Sequence, residues 1–596
     1  MTVLKAGLKR DDYSWRQIRP GLWQRDADEA EVFYSTLVKL YEGSGRMQFA
    51  ITGHITLRIH VPEDESVEAV SKRFDESLRI AWLRQRYETP AIASKAHYDA
   101  LDGKWKKSYR TIPDDASTKA WLETFQVITT GQTGGAWANS DPPAPEVATL
   151  FVVCPVIPTQ DPSVVRRDLI LRSPHDIIDG IGTLHFLNSL VTKTAEAFRE
   201  GDFFRSLPVF DGSEASNLSP PYRIAANVPS VPTPEIQARL DALKSTSASL
   251  NAPSRPAPNT NDQTQEPAPA PIDIGIPYNT KGPLLPSKSS RKSMSWPQEH
   301  LSSLTTYIKT HCHPGTTVTH VFHAAIALTL RNINARRSAN DAPLVSGQKV
   351  RYTNYLLRNE RPSCLPPYDT PAHCVSVYHS LPASKLEVDM APSLPASSGE
   401  ERRGRREFET IISQIRDFYV GVKEDRQHFA LAPGIWAEWT RQLGVPEQVL
   451  KGEEKMPVPK PKKVPSVSIS SMGVVEQIVT KWHDLGFSGS EESSSGVPQG
   501  KGEEKGGEGY EKRREGKLEV QWPWVSGDEL SNGLGVFLRT FDGRLEISVV
   551  YNEAWHSEAD VKDFLSSLDF YVESWMDGGG MNPDGFGLGG GGFSVV

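Results

Sequence analysis

A histidine followed four residues later by an aspartate can do proton chemistry. A neutral imidazole accepts a proton near pH 7, and a carboxylate can hold the turn that carries the ring. Three such pairs occur: His60/Asp64, His175/Asp179 and His556/Asp560. His60 ends an alternating strand and Pro62 lies in its spacer, so Asp64 reads more simply as the start of a helix. His556 precedes Ser557, and Ser557-x-x-Asp560 before an apolar run is close to a capping box, in which the carboxylate serves backbone donors. His175 differs. It lies in Ser173-Pro174-His175-Asp176-Ile177-Ile178-Asp179-Gly180, after the apolar run Leu169-Ile170-Leu171 and before a helix. A strand-to-helix turn presents a side chain beyond the sheet edge, and Gly180 and Gly182 let backbone approach closely. A partly buried imidazole there, near its ordinary pKa of about 6.5, is neutral at cell pH. On local chemistry alone, a general base and a histidine that caps or packs the turn are both open.

Rival constellations are weaker. No Gly-x-Ser-x-Gly elbow or phosphate-binding Walker loop occurs, and His185 stands where the third glycine of a dinucleotide fingerprint would follow Gly180 and Gly182. His311-Cys312-His313 lacks a second ligand pair at metal spacing and precedes a helix, so it reads as a turn. His320 and His323 share a helix face, where packing is the default, and the charge run at 501–517 reads as a solvated loop.

The elements that would position His175 are legible from periodicity. Val32, Phe33, Leu37, Leu40 and Tyr41 have helical spacing. A strand follows, with Phe49, Ile51, Ile55, Leu57 and Ile59 on one face and Thr52, His54, Thr56 and Arg58 on the other. Val67, Val70, Phe74, Leu78 and Ala81 form the apolar stripe of a helix. Residues 149–157 read as a strand buried on both faces, and Leu184, Leu187, Val191, Ala195 and Phe198 line a helix after Gly182. In the second half come the helices at 301–308 and 318–330 and a strand at 464–473. A hairpin at 537–551 turns at Asp542-Gly543, and Ser557 caps a last helix.

The expected organisation is a first lobe at 1–210, a Pro- and Ser-rich linker at 211–290, a second lobe at 291–576 and a Gly-rich disordered tail at 577–596. Polar insertions fall at 383–404 and 488–517. The fold class is α/β (α+β): two lobes, each a mixed sheet with helices, and a site at their interface. The 596 residues include 66 basic and 74 acidic ones, a formal net charge of -8 that argues against a general nucleic-acid binder. Four cysteines without a Cys-x-x-Cys pair suit a reducing compartment. With no apolar leader and no membrane-length run, the expectation is a soluble cytoplasmic protein.

His175 to Gly180 resembles the His-x-x-x-Asp-Gly motif of the chloramphenicol-acetyltransferase-like superfamily, which holds CoA-dependent acyltransferases and peptide-synthetase condensation domains. Trp82 to Ala93, Thr317 to Ala325 and Ser468 to Gly473 match its loose patterns in order. Within it, Trp15 to Tyr34 resembles fungal trichothecene 15-O-acetyltransferases. The resemblance implies two similar lobes around a tunnel, entered by acyl-CoA and by the acceptor from opposite faces. His175 would deprotonate an acceptor hydroxyl and return the proton to the departing thiolate. Asp179 would hold the turn through an arginine, Gly180 would permit close packing, and Ser470 or Ser471 would supply the oxyanion donor. It implies no permanently bound cofactor and no metal, acyl-CoA (acetyl-CoA) as co-substrate, a small-molecule alcohol as partner, neither nucleic acid nor membrane, and a monomer. The plant Asp-Phe-Gly-Trp-Gly motif is absent, which leaves the arginine unassigned. Pro174 stands where condensation domains carry a second histidine, which lowers the amide-forming reading with a carrier-bound donor. A non-catalytic binding member of the family is the remaining alternative.

Overall fold

The computed structural model describes residues 10–158, 161–201, 207–250, 269–281, 284–338, 348–392, 400–487 and 516–578. Most of the insertion expected at 488–517, residues 393–399 of that at 383–404, residues 251–268 and 282–283 of the 211–290 segment, and the tail from 579 lie outside the described residues.

The alternating strand, Ile51–His60, is central in a six-stranded mixed sheet. It pairs antiparallel with Val164–Ser173, which leads into His175. Beyond that lie Thr149–Pro155 and Phe125–Gly131. On one face Ile55, Leu57 and Ile59 are fully buried against the helices Val67–Glu88 and Gly180–Glu200. The stripes read from the sequence, Phe74 and Leu78 on one helix and Leu184, Leu187 and Val191 on the other, meet here. The polar face is buried too. Thr56 donates to Asp168 Oδ1 at 2.8 Å, and His54 Nδ1 lies 3.1 Å from the Trp522 carbonyl. The alternation therefore marks two kinds of interior rather than an inside and an outside. The Val67–Glu88 helix is capped by Ser66, whose side chain accepts from Ala69 N. Asp64, read as the helix start, is exposed in the preceding turn.

A second core gathers a four-stranded sheet, in the order Ser289–Trp296, Arg544–Asn552, Leu534–Phe541, Val467–Val474, with the helices Val318–Ser338, Glu400–Glu424 and Glu558–Asp577. Its hairpin turns at Asp542 (φ 54°) and Gly543 (φ 68°), as the left-handed pair demands. Ser557 and Asp560 form the full reciprocal capping box, which accounts for that decoy.

Linear order does not separate the two cores. Trp482–Asp484 and Lys517–Gly527, from the second half, complete the first sheet, with Val520 opposite Leu57. Within 211–290, Pro234–Leu250 is a helix that packs with Glu29–Tyr41 and His428–Leu443, through Ile236, Phe33 and Trp436 among others. No helix among the described residues is long and apolar enough to cross a membrane.

Sheet and helix approach most closely at Gly53. A Cβ there would stand 2.3 Å from Thr183 Cγ2 and 3.1 Å from Leu187 Cδ1. Gly53→Ala is expected to lower unfolding free energy by about 1–3 kcal/mol through overpacking. Adding Thr183→Ala should recover part of the loss, as read by urea unfolding.

Candidate active site

Residues 174–179 leave the sheet edge as a tight turn, and each side chain in it is spoken for. Lys107 Nζ, on the neighbouring strand Lys104–Arg110, sits 2.6 Å from Asp176 Oδ2 and 3.0 Å from its carbonyl, with both side chains buried. Asp176 is thereby an anchor of the turn. Ile177 and Ile178 plug into the first core. Asp179 begins the helix: its Oδ1 accepts from Gly182 N at 2.7 Å, an N-cap bond.

The other oxygen of Asp179 faces the second half of the chain. Arg361 Nη1 lies 2.9 Å from Oδ2, and Tyr378 N donates to the same atom at 2.8 Å. Arg361 also reaches the Cys374 carbonyl at 3.3 Å, and Asp179 N donates to the Ser376 carbonyl at 3.1 Å. Burial opposes ionisation of this carboxyl, but the Arg361 guanidinium, with His379 nearby, outweighs it and holds the group well below the usual carboxylate range. The two oxygens of Asp179 accept three hydrogen bonds, none of them from His175. Asp179 orders the turn and joins the halves and does not orient the His175 ring directly.

His175 is the one half-buried side chain in a turn whose flanking residues, 173–179, are buried. Its Nδ1 is closed off from solvent and has no hydrogen-bond partner among the described residues, so the open edge of the ring is the Nε2 edge. Tyr34, from Glu29–Tyr41, stacks on one face with centroids 3.9 Å apart and planes 6° from parallel. Packing around the ring and the nearby His379 push its pKa down, against a smaller upward pull from Asp179. These effects favour the neutral form of the ring, the form that can accept a proton.

Gly180 and Gly182 have different jobs. A Cβ on Gly180 would meet the flexible end of Met472 at 3.3 Å. One on Gly182 would stand 2.2 Å from the Cys374 carbonyl and 2.8 Å from Arg361 Nη2. Of the two glycines expected to let backbone approach closely, Gly182 does so, and Gly180 faces side chains. Through Met472 the Val467–Val474 strand does reach the motif. On that strand Ser470 is half-buried, and Ser471 is exposed with its Oγ 2.9 Å from Thr319 Oγ1. A cleft of about 280 Å³ is lined by Arg46, Asp141, Ser289, Asp528 and Arg172, three residues before His175; His175 itself is not in its lining.

Tyr34, Arg361 and His379 are the site residues that sequence reading passes over. Tyr34 lies beside the apolar stripe of its helix and carries no catalytic signature. Arg361 and His379 are isolated polar residues in irregular segments, 182 and 200 positions after Asp179, and no spacing rule spans such a gap.

No family model matches this chain. Acetyltransferase pigO of Monascus ruber is 22% identical over 555 residues, which cover 93% of this chain and 96% of that protein. Among solved structures, the trichothecene 15-O-acetyltransferase TRI3 of Fusarium sporotrichioides aligns with a TM-score of 0.67 at 17% identity, covering 96% of this chain and 99% of that one. The first condensation domain of the calcium-dependent antibiotic synthetase aligns with a TM-score of 0.51 at 14% identity, covering 96% and 99%. The chain has the two-lobed, chloramphenicol-acetyltransferase-like fold of these proteins, as the His175 motif implied.

Asp179→Asn keeps a capping oxygen and strands Arg361, so it is expected to cost about 3–5 kcal/mol, the usual result of breaking a buried pair. Asp179→Ala should cost more. Gly182→Ala should likewise destabilise well beyond Gly180→Ala. Denaturant unfolding of the four variants checks the order.

Proposed function

We propose that this chain is an O-acyltransferase in which His175 is the general base, moving an acetyl group from acetyl-CoA to a hydroxyl of a small molecule. The observation that carries the reading is the His175 ring itself: stacked on one face by Tyr34, closed at Nδ1 and open at Nε2. The sequence likeness to acetyltransferase pigO and the fold shared with the trichothecene 15-O-acetyltransferase support the reaction class. They make a hydroxylated secondary metabolite, of the kind of a trichothecene-like sesquiterpenoid, the acceptor to test first.

The acceptor hydroxyl donates to Nε2, and as the proton moves to the ring the oxygen attacks the thioester carbonyl. The tetrahedral oxyanion needs a donor, for which Ser470 and Ser471 are the candidates; Ser471 Oγ also lies 2.9 Å from Thr319 Oγ1. Collapse expels the thiolate, which recovers the proton from His175 and leaves the ester and free CoA. Asp179 and Gly180 keep the turn in place throughout. One chain supplies both halves of the Asp179–Arg361 bond, which supports a monomer. A carrier-bound thioester is the alternative donor, raised by the likeness to a condensation domain. Comparing acyl-CoA with acyl-carrier substrates, with products read by mass spectrometry, separates the two.

His175→Ala should keep its melting temperature and lose at least about 10²–10⁴-fold in turnover, the usual worth of a general base. Wild-type turnover in that folded variant would end the proposal. Because burial and His379 depress the His175 pKa, the ring stays deprotonated as pH falls through the ordinary imidazole range. The acid limb of kcat/KM is therefore expected below about pH 6.5, and an inflection at or above that value would contradict it.

A further inference from the structure

Three aromatic side chains and one carboxylate connect in series beside the base. His379, on the short strand His379–Ser380, lies against His175 with ring centroids 5.4 Å apart. Its Nε2 is 2.8 Å from the Tyr34 hydroxyl, and its Nδ1 is 3.7 Å from Asp179 Oδ2. That second distance is too long for a hydrogen bond and short enough for the carboxylate's charge to choose the tautomer. With the proton on Nδ1, a positive edge faces Asp179 and Nε2 offers a lone pair to Tyr34. The other tautomer would turn a lone pair toward the carboxylate. Burial, reinforced by Asp179, keeps the Tyr34 hydroxyl protonated, so it has a hydrogen to donate. Trp436 completes the cage: its indole Nε1 donates to the His379 carbonyl at 3.2 Å, and its ring meets that of His379 edge-on at 5.5 Å. Tyr34, held by this bond, then lies flat on His175.

We propose that His379 is a positioning residue for acyl transfer: it converts the fixed charge of Asp179 into a fixed orientation of Tyr34, and the Tyr34 ring in turn holds the His175 imidazole with Nε2 toward the acceptor. Asp179, which does not bond to His175, acts on it through this route as well as through the turn. The inference rests on the acyltransferase reading. Tyr34→Phe tests it with least disturbance, since the stacked ring stays and only the bond to His379 goes.

The experiment is a double-mutant cycle on Tyr34→Phe and His379→Ala, with His379→Gln as the conservative variant and His175→Ala in parallel. His379→Ala should lower kcat about 10–100-fold with KM for acetyl-CoA within about threefold. Tyr34→Phe should lose a comparable factor, and the double variant should lose no more than the worse single one. His379→Gln, whose amide oxygen can accept from Tyr34, should recover part of kcat. Ring-labelled 15N spectra of the unliganded protein should place the His379 proton on Nδ1. Wild-type kcat in Tyr34→Phe, multiplying losses in the cycle, or a proton on Nε2 of His379 would each overturn the proposal, and the first and last apply even where His379→Ala fails to fold. If His175→Ala is dead while Tyr34→Phe and His379→Ala keep full kcat, this inference falls alone. If His175→Ala turns over normally, the acyltransferase reading falls with it.

Discussion

Asp179 and Arg361 stand 182 positions apart in the chain and 2.9 Å apart in the fold, with side chains only 4% and 7% exposed. A buried ion pair is a weak source of net stability, because desolvating two charges consumes most of what their attraction returns. Its force lies in what happens when it is incomplete. Either charge alone in that interior is strongly unfavourable, so the first turn of the Gly180–Glu200 helix and the loop at 361–378 settle in one mutual arrangement. The rest of the site is measured from that arrangement. The turn holding His175 is pinned at Asp176 by Lys107 and at Asp179 by Arg361 and the Tyr378 amide, and Gly182 lets the Cys374 carbonyl come close enough for the pair to form.

The same constraint explains why the carboxylate of this motif is no triad member. In a triad the acid's lone pairs are spent on the imidazole. Here Asp179 accepts from Gly182, Arg361 and Tyr378, and the His175 ring is held by the turn and by the covering ring of Tyr34. The acid contributes order and charge at a distance.

The two cores are interlocked rather than serial. Strands from 482–484 and 517–527 extend the first sheet, and Val525 and Met472 close over Gly180 from the second half. The fold aligns with that of the trichothecene acetyltransferase at 17% identity, so it is shared while most side chains differ.

The sequence alone was enough to determine the local elements and to single out the segment around His175. The 3.6-residue stripes of Val67–Glu88 and Gly180–Glu200, the period-two strand at Ile51–His60, the Asp542-Gly543 turn and the Ser557 capping box are all short-range consequences of residue type, and short-range rules read them correctly. They also separated His175 from His60 and His556, because a strand-turn-helix context is itself local. Only the tertiary structure decided that the polar face of Ile51–His60 is interior, that Gly182 carries the close approach, and that Arg361, His379 and Tyr34 surround the motif. Each of those depends on which distant segment comes to lie against which. A single arginine or tyrosine leaves no periodic trace of its partner along the chain; the choice is made by packing and by the cost of an unpaired buried charge, and both exist only once the chain has folded.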